Sequence, residues 1–224
     1  AWLLTLRLLP SDAASRMRRA EIAGNVADCL EKAGDPTRLA AACRGILAGA
    51  PPPELAATAL WRLGQVHETA GAVDSAATCY ARLIRVYPSA AEFTKAMGKR
   101  PLVEPRVPFD WRPYEIYLRG SVPLGRADYA AGLANADSLL VSTTDPVLVE
   151  CGEYRKLTCE TWVGGDLVRG TRELRAYLER YPDGLRAATA RQTLDERWQP
   201  LADMQQGALD APDDAQAQQP SDGD

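Results

Sequence analysis

Residues 59–88 contain two short runs in which apolar side chains recur every three to four positions. Leu60, Leu63, Val66 and His67 share one face of the first run, and Ala76, Tyr80, Leu83 and Val86 with Tyr87 share one face of the second. That period predicts two amphipathic helices and excludes strands, whose side chains alternate every two residues. Gly71 between the runs permits the left-handed backbone that ends a helix, and Pro88 stops the second helix.

The spacing of these two markers recurs along the chain. Gly71 lies 17 residues before Pro88, and the same 17 separate Gly34 from Pro51 and Gly165 from Pro182. A second helix and its closing turn therefore have the same length in three places, as a stack of like units requires. On this ruler the repeats span about residues 11–51, 54–88, 113–146 and 147–182. In the first, Ser11 or Asp12 caps a helix through Ile22, Val26 and Leu30, and Pro36 opens a second through Leu39, Cys43 and Ile46. The 113–146 unit is degenerate, with 113–121 as a short first helix, VPLG as its loop and 126–140 as the second. Asp183 is expected to cap a final helix over 183–199 that covers the open end of the stack through Leu185, Ala188, Leu194 and Trp198. Between the second and third units, residues 89–112 begin as a short helix and then meet Pro101, Pro105 and Pro108, which favour extended backbone. Two readings of this insertion stay open: a functional loop, or an ordered strap.

The pattern Leu60-x2-Leu63-Gly64-x2-His67, followed by Ala76-x3-Tyr80 and Pro88, resembles the tetratricopeptide repeat, W-x2-L-G-x2-Y…A-x3-F…P. Leu60, His67 and Tyr80 replace the favoured Trp, Tyr and Phe and keep their bulk. The resemblance implies an all-α fold, a right-handed α-solenoid over residues 1–199 with a C-terminal capping helix. Gly64 and Ala76 fall where two helix backbones approach closely. In the family the first helix of each unit lines a concave groove for an extended or helical peptide. By register the groove positions are Glu21, Asp28 and Glu31 in the first repeat, Trp61, Gln65 and Glu68 in the second, and Arg155 and Trp162 in the fourth. Trp and Arg are common at energetic hot spots, but Trp61 and Trp162 also suit packing between helices, and both readings stay open. The acidic positions of the first repeat point to a basic segment in the partner. The endings Tyr87-Pro88-Ser89 and Tyr181-Pro182-Asp183 are similar to those of bacterial envelope repeat proteins, which implies a periplasmic scaffold; a cytoplasmic location is the alternative.

Composition narrows the function classes. Six of the 30 acidic residues, all Asp, lie from Asp203 onward with no Lys or Arg there, so the chain before them carries 26 basic against 24 acidic residues. The net charge of −4 is an effect of that tail, and no basic footprint for nucleic acid exists. Residues 200–224 hold few bulky apolar side chains and are expected to be disordered. The first ten residues are apolar but far too short to span a bilayer, and they suit a short helix capping the first repeat or the remnant of something longer. The chain opens on Ala1 with no initiator Met, as a processed protein or a fragment does, so a regulatory domain from a larger enzyme such as a kinase is the alternative function. The cysteines, at 29, 43, 79, 151 and 159, lack metal-ligand spacing. Cys29 and Cys43 flank the Gly34 turn, suited to a disulfide in an oxidising compartment or to packing as small apolar groups. His67 is the single histidine and takes a core position of the repeat, and no phosphate loop or nucleophile–base pair is present. The expectation is a non-catalytic protein-binding module with no cofactor.

Overall fold

Each helix pair in this chain is set by a few residues at its turn. Gly34, Gly71 and Gly165, the three glycines of the 17-residue ruler, all adopt positive φ, at 67°, 73° and 67°. In a computed structural model describing residues 13–209, every regular element is helical and no strand occurs among the described residues. The helices are α1 (Ala13–Lys32), α2 (Pro36–Ala48), α3 (Pro53–Thr69), α4 (Val73–Val86), α5 (Phe93–Met97), α6 (Arg100–Val103), α7 (Arg112–Arg119), α8 (Ser121–Gly125), α9 (Tyr129–Ser142), α10 (Pro146–Gly164), α11 (Leu167–Arg180) and α12 (Ala187–Thr193). A π-helical turn, Leu194–Trp198, then leads into α13 (Gln199–Leu209). Two compact units hold them, residues 13–118 with 142–148, and residues 119–141 with 149–209.

In the first unit α1 packs on α2, α2 on α3, and α3 on α4. The stripe that α1 buries is Ala23 and Ala27 with Leu30 beside them, displaced by one residue from the expected Ile22 and Val26, which are half-buried. Alanines on the inner face let α1 lie close to its neighbours, and the larger side chains flank the contact. Leu39, Ala40, Cys43, Ile46, Ala59, Leu63 and Cys79 complete that core. The insertion is more helical than its prolines suggest. Pro101 falls in the first turn of α6, where its missing N–H has no intrahelical partner to lose. Phe93, Ala96, Val103 and Trp111 anchor the segment by burial.

The second unit contains a turn that the glycine ruler does not register. Ala127 adopts φ 56°, and its N–H bonds Leu124 O at 3.1 Å while Asp128 N–H bonds Pro123 O at 2.9 Å. The same pair closes α3, where Gly71 N–H meets Glu68 O and Ala72 N–H meets His67 O. In all four hairpins the second helix starts two residues after the left-handed residue, and α2, α4, α9 and α11 contain 13, 14, 14 and 14 residues. Asp35, Asp128 and Asp166 follow the left-handed residue in three of them, and each carboxylate accepts the N–H three residues on. The segment read as the VPLG loop is the helical turn α8, with Pro123 among its first three residues.

A left-handed alanine is strained relative to glycine. Ala127→Gly is therefore expected to raise stability by about 0.5–1 kcal/mol, and Gly71→Ala, where no atom lies within 4 Å of the added Cβ, to lower it by about 1 kcal/mol. Urea midpoints of the two variants test this, and equal shifts of the same sign refute it.

The C-terminal end departs from the expected single capping helix. Asp183 lies in a turn and α12 begins only at Ala187, because the Arg186 N–H is held by the buried Glu150 carboxylate at 2.8 Å. Helix continues to Leu209, into the stretch expected to be disordered. Gln205 explains part of this: its Oε1 accepts the Leu167 N–H and its Nε2 donates to Gly165 O, both at 3.0 Å, so α13 closes the turn between α10 and α11. The apolar N-terminal stretch of residues 1–10, the Ser11/Asp12 cap and residues 210–224 lie outside the described residues.

Candidate functional site

Four of the six expected groove positions on α1 and α3, namely Asp28, Glu31, Trp61 and Glu68, are drawn into contacts within the chain. Arg62, one position after Trp61, reaches across to α1, where its Nε lies 3.0 Å from Glu31 and its Nη2 bonds Asp28. The two carboxylates read as bait for a basic partner are thus shared by the protein's own arginine. One guanidinium against two carboxylates leaves a single negative charge. A cleft of about 180 Å³ opens beside this pair, lined by Glu31, Leu39, Arg62, Gln65 and Val66 among others. Gln65 is exposed there, and Glu21, two turns back along α1 from Asp28, is exposed as well.

Trp61 and Glu68 meet at a second cluster in the same unit. The Trp61 and Tyr80 rings lie 5.3 Å apart, and the fully buried Tyr80 donates its hydroxyl to Glu68 Oε2 at 2.8 Å. Lys99, from the link between α5 and α6, donates Nζ to both Glu68 oxygens at 2.9 Å. The same Nζ stands 5.7 Å from the Tyr80 ring and 6.0 Å from the Trp61 ring, within cation–π reach. The hydrogen bond from Lys99 holds the Glu68 carboxyl below the ordinary range, against partial burial and with help from Tyr80. Burial, then the Glu68 hydrogen bond, push the Tyr80 phenol up.

Arg155 and Trp162, both in the second unit, have separate fates. Arg155 is 5% exposed and donates Nη1 to Asn135 Oδ1 at 2.8 Å, packed where the absent side chain of Gly120 leaves room. It is a buried packing residue, where register placed it on a surface. Trp162 stacks on Tyr129 at 5.8 Å and stands nearly perpendicular to Trp198 at 6.5 Å, yet stays 38% exposed. It is both packed and accessible.

Sequence register did not single out Arg62 and Lys99. An arginine next to a groove tryptophan was the available signal for the first. For Lys99 there was none, because its partner lies 31 residues away. The insertion also walls a cleft of about 390 Å³ whose lining includes Arg85, Phe109, Tyr114, Thr143 and Asp145. There the Arg85 guanidinium lies 4.9 Å over the Phe109 ring, and Tyr114 donates to Asp145 Oδ2 at 3.2 Å while Oδ1 caps α10 through the Val147 N–H.

All five cysteines are free thiols, so Cys29 and Cys43 form no disulfide. Burial pushes the Cys43 thiol up to about 11, which disfavours the reactive thiolate. Among the described residues no group of three or more His, Cys, Asp or Glu converges as metal ligands, and no helix is long and apolar enough to cross a membrane. Comparison with protein-family models, curated proteins and solved structures finds no match.

Proposed function

We propose that this chain is a non-catalytic interaction module: a right-handed α-solenoid of tetratricopeptide-like hairpins that holds a protein or peptide partner against the face formed by α1 and α3. The observation that carries the reading is the turn repeated four times, with a left-handed residue placed two before a second helix of nearly constant length. Constant turns and constant helix lengths are what stacked units need in order to bury a continuous core and present one side of each first helix. The α1–α3 cleft beside Arg62, with exposed Gln65 at its edge, is the part of that face open to a ligand. A bacterial envelope setting fits the Tyr-Pro endings at residues 87–88 and 181–182.

The test is capture of the partner from the native lysate by the full chain. Gln65→Arg places bulk and charge in the cleft without touching the core and is expected to reduce capture at least tenfold. Val141→Arg, at a position 90% exposed in the other unit, serves as control and is expected to leave capture unchanged. Undiminished capture by folded Gln65→Arg removes this face from consideration.

A further inference from the structure

We propose that Trp61, Tyr80 and Glu68 form a receptor for a lysine ammonium of the partner, closed in the free chain by the protein's own Lys99. The inference rests on the interaction reading above and names the chemistry that the α3 face selects.

Three groups define the ligand. Glu68 presents both carboxylate oxygens to one nitrogen at 2.9 Å, and Tyr80 keeps the carboxylate in place through a 2.8 Å hydrogen bond that uses only one lone pair of Oε2. The rings of Tyr80 and Trp61 add their faces at 5.7 and 6.0 Å. Two N–H donors from one nitrogen, with π-faces at the outer limit of cation–π distance, suit a primary ammonium. A trimethylated ammonium has no N–H to offer Glu68, and the rings stand too far out to replace those bonds.

Lys99 is built to leave without disturbing the fold. The helices on either side of it are held by the buried Phe93, Ala96 and Val103, so the gate is one flexible side chain and not the whole insertion. Its ion pair with Glu68 is about one-third exposed on each side, and pairs of that kind contribute little net stability. A partner's ammonium takes over the same acceptors and the same ring faces, so the exchange leaves no buried charge unpaired. What Lys99 keeps is proximity: a tethered competitor acts at an effective concentration on the order of millimolar, which hides the site from a weak monovalent peptide.

Lys99→Met removes the ammonium and keeps the apolar stem. The probe is a seven-residue Gly/Ser peptide with one central lysine and blocked ends, titrated into the full chain and followed by NMR shifts of the indole N–H signals. The variant is expected to bind about two- to sixfold more tightly than the unaltered chain, as release of so weak a pair allows. Glu68→Gln added to it is expected to abolish the gain, and a trimethyllysine peptide is expected to bind no better than a norleucine one. Lys99→Ala repeats the experiment with the stem removed and is expected to show the same order of peptides. Equal binding by the variant and the unaltered chain overturns the proposal. So does a gain that survives Glu68→Gln, or tight binding of the trimethyllysine peptide. Failure here with Gln65→Arg still abolishing partner capture removes the lysine receptor and keeps the α1–α3 face. Undiminished capture by Gln65→Arg removes the α1–α3 cleft as the docking site, whatever the peptide titration shows.

Discussion

Trp198→Ala is expected to destabilise the chain by about 3–5 kcal/mol, the range for truncating a buried aromatic to alanine. Trp198 is 1% exposed and packs in one core with Leu157, Leu174, Tyr177, Ala190 and Leu194. It closes the π-helical turn Leu194–Trp198, after which the Gln199 N–H bonds Leu194 O five residues back. Its ring also stands nearly perpendicular to that of Trp162 at 6.5 Å, so the variant loses a support of the partly exposed Trp162 along with core volume. Trp198→Phe keeps an aromatic face and is expected to lose about half as much. Urea unfolding followed by circular dichroism, with the slope m unchanged, is the measurement. A loss below about 1 kcal/mol places Trp198 outside the load that this core carries.

Gly64→Ala carries the second large effect, and here two principles oppose each other. Alanine is a better helix former than glycine by about 1 kcal/mol, so on an exposed helix the change is stabilising. At this position the added Cβ falls 2.5 Å from Tyr80 Cε1 and 2.8 Å from Cζ. The Tyr80 ring cannot slide away, because it is fully buried and its hydroxyl is tied to Glu68. Either α3 and α4 separate or the Tyr80–Glu68 bond breaks, and overpacking of this kind costs about 1–3 kcal/mol. A net loss of about 1–3 kcal/mol is therefore expected. A stabilised Gly64→Ala protein, by thermal or urea unfolding, means that the two helices are not held at this separation.

Much of the architecture was legible in residues close together in the chain. Gly34, Gly71 and Gly165 mark helix ends because a left-handed residue and the hydrogen bonds around it involve only about six neighbours. Leu60, Leu63, Ala76, Tyr80 and Leu83 are buried as their period requires. The third hairpin escaped the ruler because alanine stands at its left-handed position and the next proline, Pro146, falls 19 and not 17 residues on, although Asp128 beside it carries the same capping role as Asp35 and Asp166. The candidate site was less legible. Register named Asp28, Glu31, Trp61 and Glu68, and these fall into two clusters, one around Arg62 and one around Lys99, but register was silent on those cations and placed the buried Arg155 on a surface.

The sequence by itself determined the all-helical class, three of the four hairpin turns and the position of most helices, since caps, turn residues and apolar period act over one or two turns of chain. The tertiary structure alone decided which charged groups stay open to a ligand. Arg62 pairs with Asp28 across 34 positions and Lys99 with Glu68 across 31, so their partnership depends on how helices pack and not on any local pattern. A carboxylate looks the same in a sequence whether it faces solvent or a cation from another helix, and only packing supplies the cation.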